Sequence, residues 1–441
     1  MKTSRYNTIM KYNDATLAFN AASGALAEVD DDFINILTNI KDIDKDSLSS
    51  KNKELYDGMI DSNFIIEDDV DELQVLEYRY NKAKYENPYI RALTIAPTVD
   101  CNFACPYCYE SSKKGIMSLE IQDAIVAAIE KSIKYNDTFS LTWYGGEPLV
   151  AKDVVLSLSK RIFDICEKNN IRFSSNMITN GYLLNEELIK KLVSMKVQTY
   201  QITIDGPPEI HNKRRRLRGE LQDTFYKIIG NIKLLLKYNA NVNIRINVDK
   251  ENVGYIDTLL DILKENNLQD CRVYFGHVQI LGEACSSISS CFQDEEFANF
   301  DFKYNFILSQ KGFNKGREMY YPTIKENYCG ADSSAGWVVD LDGYLYNCWN
   351  AVGCIEKAAG NIKKLEHIPD NMVTNNAKYM LWSPFKFDKC KECNVLPLCM
   401  GGCPDKGLIN SEPICDKWKY NLSDVIVQQY LNSIEQEEAQ E

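Results

Sequence analysis

Between residues 90 and 310 the chain alternates strand-like runs with amphipathic stretches, and that rhythm limits the fold more than any other feature. Six β-branched or aromatic segments lie at 93–99, 139–144, 173–179, 199–203, 242–248 and 273–279. Apolar residues at helical spacing fill the intervals at 119–134, 151–169, 185–196, 221–237 and 255–267. Parallel neighbours need a crossover, so this spacing predicts an α/β fold with a parallel sheet or partial TIM-like barrel. Its site would sit at the C-terminal ends of the strands. Six units are too few for a closed eight-fold barrel, so an open side is expected.

Both flanks break the rhythm. Segments 6–12, 16–19 and 25–29 read as short strands with a Ser23-Gly24 turn, and Asp30, Asp31 and Asp32 offer a helix cap before 33–40. A helix at 53–61 and a strand at 63–66 complete a winged-helix-like module over 1–85. The acidic run 67–72 and the polar helical 73–85 act as its connector. After about residue 320 the chain becomes rich in Cys, Gly and Pro with short elements, as in a small metal-stapled domain. The expected units are 1–85, a barrel over 86–315, a Cys-rich domain over 316–420 and a C-terminal helix and tail over 421–441.

The chain has 15 cysteines, none before Cys101 and eight from Cys329 to Cys415. No apolar run is long enough to span a bilayer, and MKTSRYNTIM lacks the hydrophobic core of a signal peptide. The expectation is a cytoplasmic protein with no membrane partner, whose clustered thiols bind a soft metal rather than pair as disulfides. A net charge of −13 argues against a nucleic-acid partner held by a general basic surface.

Cys101, Cys105 and Cys108 fall in CNFACPYCYE, directly after the first strand. Three thiolates hold a [4Fe–4S] cluster with one iron left for a non-protein ligand. A structural zinc site would need a fourth Cys or His, and the chain has three His. Gly145-Gly146-Glu147-Pro148 ends the second strand, where two glycines admit a close ligand and the carboxylate can accept from an ammonium. The plain alternative is a strand-to-helix turn. Thr179-Asn180-Gly181 and Thr203-Ile204-Asp205-Gly206-Pro207 end the next two strands and face the same mouth, or form simple Asx turns. The run KRRRLR at 213–218 is a solvated loop or a carboxylate-binding patch, and Arg245 is a further carboxylate candidate whose direction depends on register. Toward the C-terminus, Cys329 and Cys348 flank Gly343, and Cys390, Cys393, Cys399, Cys403 and Cys415 follow. A zinc ribbon is the structural alternative for any CxxC pair.

Taken together, these motifs resemble the radical S-adenosylmethionine enzymes that carry a C-terminal SPASM domain, whose spacing CX9–15GX4C, CX2CX5CX3C and a last Cys is met throughout. The resemblance covers about 90–420 and implies a partial (β/α)6 barrel with three [4Fe–4S] clusters and S-adenosyl-L-methionine. By position, Cys101, Cys105 and Cys108 would hold the reactive cluster. Cys390, Cys393, Cys399 and Cys415 would hold the outer auxiliary cluster, and Cys329, Cys348 and Cys403 the inner one. For the fourth inner ligand Cys354 stands first, with Cys285, Cys291 and a substrate thiolate as the alternatives. Tyr107 would seat the adenine, Gly145, Gly146 and Glu147 the amino group, and Asn180, Thr203 and Asp205 the ribose.

Residues 1–85 resemble the peptide-recognition element of enzymes that modify ribosomally made peptides, which adds a leader peptide as a strand. A packing or dimerisation cap is the alternative. In anaerobic sulfatase maturases an Asp base follows the GX4C cysteine, whereas Trp349 stands here. The resemblance thus implies a peptide-modifying oxidoreductase that crosslinks a precursor peptide, with an electron donor of flavodoxin or ferredoxin type. Epimerisation, sulfatase-type oxidation, a non-enzymatic electron carrier and a zinc-stapled scaffold are the alternatives.

Overall fold

The computed structural model describes residues 1–86, 89–110, 114–219, 222–279, 291–315 and 320–438. Six parallel strands lie side by side in sequence order: Ala92–Ile95, Thr138–Trp143, Arg172–Thr179, Val197–Thr203, Asn241–Val248 and Arg272–His277. Helices Leu119–Ile133, Lys152–Lys168, Glu186–Ser194, Phe225–Lys237, Ile256–Glu265 and Asp294–Gln310 follow them in turn. Local chemistry sets their ends. Ser118 and Asn185 accept from the backbone N–H of Ile121 and Leu188 as N-caps, and left-handed Asn170, Asn239 and Asn267 stop the helices before them.

The strands alternate strictly. Val242, Ile244, Ile246 and Val248 join the main core under the helices, while Asn243, Arg245 and Asn247 face the barrel interior. The first strand ends at Ile95 because the following residues leave the ladder for a turn. There Thr98 donates its hydroxyl to Gly115 O at 2.6 Å and offers its carbonyl to Gly146 N at 3.3 Å. The helix expected from 221 starts at Phe225, and Leu221 lies outside the described residues.

One extension was not legible beforehand. Gly336–Val339 adds parallel to the first barrel strand, and Tyr344–Tyr346 and Gly360–Asn361 add antiparallel beyond it, giving a nine-stranded sheet. The Cys-rich region is thereby hydrogen-bonded to the barrel, with Cys348 two residues after the added hairpin's second strand.

At the N-terminus, Asn7–Tyr12, Ala15–Asn20 and Leu26–Val29 form an antiparallel meander, and Lys2–Thr3 pairs with Ile65–Ile66. Ala18 on the middle strand packs with helices Asp31–Asn39 and Ser50–Asp61 through Phe33, Ile36, Tyr56 and Met59. Leu17 and Phe19, on the opposite face, enter a different core with Leu396, Leu398, Trp418, Leu422 and Val425. Helix Glu72–Tyr85 carries Lys84 into the same region, where its ammonium bonds Asp332 at 2.6 Å and Trp382 O at 2.6 Å. No helix among the described residues is long and apolar enough to cross a membrane.

Candidate active site

The loop bearing Cys101, Cys105 and Cys108 is held from two sides. Phe103 is its buried anchor and bridges to Leu217, while Ala104 N donates to Arg216 O and Arg218 N to Asn102 O, each at 2.9 Å. The run at 213–218 is therefore no solvated loop. It leaves the end of helix Pro208–Arg214 and runs along the cysteine loop through one isolated bridge, with Arg214 buried against Asp249 at 2.6 Å and Arg218 reaching Asp100 at 3.0 Å. Cys105 bears electrostatically on both Cys101 and Cys108, and Arg215 is the cation that bears on all three. Burial pushes the Cys101 thiol up to about 12, so a bound cation is what would make it a thiolate.

Gly145, at φ +114°, and Gly146 press against this loop's entry. A Cβ on Gly145 would overlap the Thr98 carbonyl, and one on Gly146 the carbonyls of Val99 and Asp100. Glu147 is fully buried and accepts from Thr179 Oγ1 at 2.8 Å, Asn180 N at 2.7 Å and Leu149 N at 3.0 Å. It thus pins the end of the third strand to the end of the second, with one acceptor position to spare. Burial holds it above the usual carboxylate range against those donors. Asn180 in turn donates to Asn102 Oδ1 at 2.7 Å, inside the cysteine loop.

Tyr107 donates its hydroxyl to Asp205 and accepts from Arg215 at 2.8 Å, with Arg214 5.3 Å over its ring. Asp205 also accepts from Asn247 N at 3.1 Å, and burial raises its carboxyl despite Arg215 and Arg214. Thr203, nearly buried at the end of the fourth strand, pairs in register with Arg245. The structure thus brings Tyr107, Gly145, Gly146, Glu147, Asn180, Thr203 and Asp205 to one barrel mouth around Cys101, Cys105 and Cys108.

Sequence reasoning missed the wall beside them. Tyr109 and Tyr144 hydroxyls lie 2.6 Å apart, Tyr144 also bonds Glu110, and Trp349 stacks on Tyr144 at 5.4 Å. Burial raises Glu110 to about 7, and one of its carboxylate oxygens is buried without a hydrogen bond among the described residues. Tyr109 bears on both Arg245 and Cys348, so this aromatic wall joins the barrel to the C-terminal thiols. A cavity of about 180 Å³ lined by Thr94, Cys329, Cys348 and Trp349 continues it. The only prior signal was the position of Tyr109 and Glu110, right after Cys108.

Those thiols fall into two groups. Cys329, Cys348 and Cys403 bear on one another, as do Cys390, Cys393, Cys399 and Cys415. Such thiol-only donor sets fit iron–sulfur clusters. Among the described residues no set of Cys, His, Asp or Glu closes on a single-ion site. Cys354 is turned to Glu356 at 3.4 Å, and no other cysteine figures among the charges acting on it. Cys291 is half-buried before helix Asp294–Gln310, and Cys285 lies outside the described residues.

Residues 95–263 match the Radical SAM superfamily. The cysteine-type anaerobic sulfatase-maturating enzyme of Clostridium perfringens is 27% identical over 328 residues, 69% of this chain and 85% of the relative. The radical SAM cyclopropyl synthase TigE of Paramaledivibacter caminithermalis is 22% identical and spans 91% of this chain and 89% of its own length. Among solved structures, anSMEcpe with bound AdoMet aligns with TM-score 0.60 at 22% identity, over 77% of this chain and 99% of that one. Streptococcus suis SuiB bound to precursor peptide SuiA aligns with TM-score 0.55 at 14% identity, over 94% of this chain and 98% of that one.

Proposed function

We propose, for a chain that is a radical S-adenosylmethionine enzyme, that it installs an intramolecular thioether or carbon–carbon crosslink in a ribosomally made precursor peptide. A [4Fe–4S] cluster on Cys101, Cys105 and Cys108 together with S-adenosylmethionine would supply a 5′-deoxyadenosyl radical, chemistry that no side chain offers. The chain's own residues would frame that cofactor with Tyr107, Asn180, Asp205 and Arg215. Tyr109, Tyr144 and Trp349 would exclude water and hold one substrate C–H in place. The two C-terminal thiol groups would hold two further clusters, and a flavodoxin or ferredoxin would act as donor.

The observation that carries the peptide reading is a groove on the N-terminal module. Leu26–Val29 is paired on one side only among the described residues. Beside it runs a groove of about 660 Å³ floored by Val29, Phe33, Leu55, Met59 and Phe64, against helix Ser50–Asp61. An extended leader would add to this edge by main-chain hydrogen bonds and fill the groove with alternate side chains. In support, the sequence likeness to TigE spans 91% of the chain against 69% for the sulfatase-maturating relative, and the fold likeness to SuiB spans 94% against 77% for anSMEcpe.

Sulfatase-type oxidation is the second reading, favoured by the 27% identity to that relative. Trp349 after Cys348 weighs against it, because an indole stacked on Tyr144 accepts no proton. The experiment is anaerobic turnover with short peptides encoded by neighbouring reading frames, followed by mass spectrometry. A product two hydrogens lighter, formed with 5′-deoxyadenosine, indicates crosslinking or oxidation of a serine, and the two are separated because only the oxidised product carries an aldehyde that reacts with a hydrazine. Loss of sulfur would instead establish cysteine oxidation, and an unchanged mass epimerisation.

A further inference from the structure

The inner wall of the barrel is polar, with Thr94, Thr142, Asn176, Gln201, Asn243, Asn247 and Tyr274 facing inward between buried apolar neighbours. At mid-height it carries one cation among the described residues, Arg245, since Arg172 and Arg272 stand at the opposite, N-terminal strand ends. Arg245 has a built seat. Its Nε donates to Asn247 Oδ1 at 2.8 Å, and Asn247 is itself tied through its N–H to Asp205. On the neighbouring strand the residue opposite Asn247 is Gly276. A Cβ there would overlap the guanidinium Nε and Nη2 and the Asn247 amide oxygen. A glycine inside a strand weakens it, so this one marks a close approach that the guanidinium requires. Tyr274, opposite Arg245, bonds the guanidinium and Gln201.

What the seat lacks is an anion. No carboxylate among the described residues forms an ion pair with Arg245, so its half-buried guanidinium keeps part of its fork for an incoming anion. Nor is it the cation of the cysteine loop. That is Arg215, which bears on Cys101, Cys105 and Cys108, whereas Arg245 bears on Tyr109 and Tyr274, toward Cys348.

We propose that Arg245 binds a carboxylate of the substrate peptide inside the barrel. The residue acted on then lies beside an aspartate, a glutamate or the peptide's own C-terminus. This rests on a peptide entering the barrel, and it adds which peptides qualify.

The test uses anaerobically loaded protein with S-adenosylmethionine bound, and follows small probes by saturation-transfer NMR. N-acetyl-aspartate amide and N-acetyl-glutamate amide carry a side-chain carboxylate, N-acetylalanine a main-chain one, and N-acetyl-asparagine amide none. The charged probes bind the unaltered protein and the asparagine probe does not. The tighter of the two charged kinds identifies the source. Arg245→Met weakens the charged probes by about tenfold or more, and Arg245→Lys by less, since it keeps charge but loses the fork. Gly276→Ala, which fills the seat and keeps the arginine, also weakens them. Equal affinities in wild type and Arg245→Met, or no probe binding to wild type, overturn the proposal. So does an equal loss of S-adenosylmethionine affinity, which would assign Arg245 to the cofactor. Should the probes need Arg245 while no peptide is ever crosslinked, the carboxylate site stands and the crosslinking reading falls.

Discussion

Glu147 shows how one buried carboxylate can tie a strand end to a neighbouring turn. Its three donors come from one strand end and a turn, so Glu147→Gln turns an acceptor into a donor facing N–H and O–H groups. The Thr179–Asn180 turn should loosen, and S-adenosylmethionine affinity should fall about tenfold or more with iron content unchanged, read by anaerobic equilibrium dialysis. His211 makes a different prediction. It is fully buried, accepts from Asp205 N at 3.3 Å, and burial drives its pKa well below 6.5. The folded state thus binds fewer protons than the unfolded state below the ordinary histidine pKa. The His211 contribution to stability should be level above about pH 6.5 and decline below it, by up to ~1.4 kcal/mol per pH unit, read as the difference between wild type and His211→Gln in denaturant titrations across that range. At this scale the residues that must be of one kind were legible: thiols at fixed spacing, two glycines, a carboxylate at a strand end. Tyr144, Trp349 and the seat of Arg245 were not, because each is defined by a partner tens or hundreds of residues away.

Among the elements, helix Glu72–Tyr85 departs furthest from its sequence pattern. Its composition is polar enough to suggest a solvated connector, yet Leu76, Tyr80 and Lys84 form one buried face four residues apart. Lys84 disguises the face, since its stem packs like an apolar chain and its ammonium is paired with Asp332, three residues after Cys329. Lys84→Met would strand that carboxylate and lower stability by ~3–5 kcal/mol, whereas Lys84→Met with Asp332→Asn should recover most of it in the same thermal melts. The barrel helices and strands, by contrast, followed their periods closely, because each buries its own face on its neighbour. The added strand Gly336–Val339 was hidden for the opposite reason. Four residues carry almost no period, and only pairing with Ala92–Ile95 makes them a strand. In the N-terminal module, Leu55→Asp places a charge on the groove floor. It should weaken binding of the precursor's leader about tenfold or more by fluorescence anisotropy, with 5′-deoxyadenosine formation without peptide unaffected.

At the scale of the whole molecule the first and last elements are one structure. The middle N-terminal strand sends Leu17 and Phe19 into a core with Trp418, Leu422, Val425 and Ile426 of the C-terminal helix, and Cys390, Leu396 and Leu398 belong to that core too. Tyr430 reaches Glu28 at 2.8 Å on the edge strand that borders the groove, and Tyr321 bonds Gly24 O at 2.6 Å. The sequence suggests a detachable recognition module, because contacts spanning some 400 positions leave no local trace. Removing residues 1–85 should therefore do more than abolish leader binding. It exposes the Trp418 face and frees the backbone around Cys390, so the truncated chain should melt lower and retain less iron after reconstitution than the full chain. Leu55→Asp supplies the comparison, since it disables the groove while leaving this shared core intact. If the truncated chain instead keeps its full iron content and melting temperature, the module is a passenger, and the core it shares with Trp418 and Leu396 does not support the C-terminal thiols.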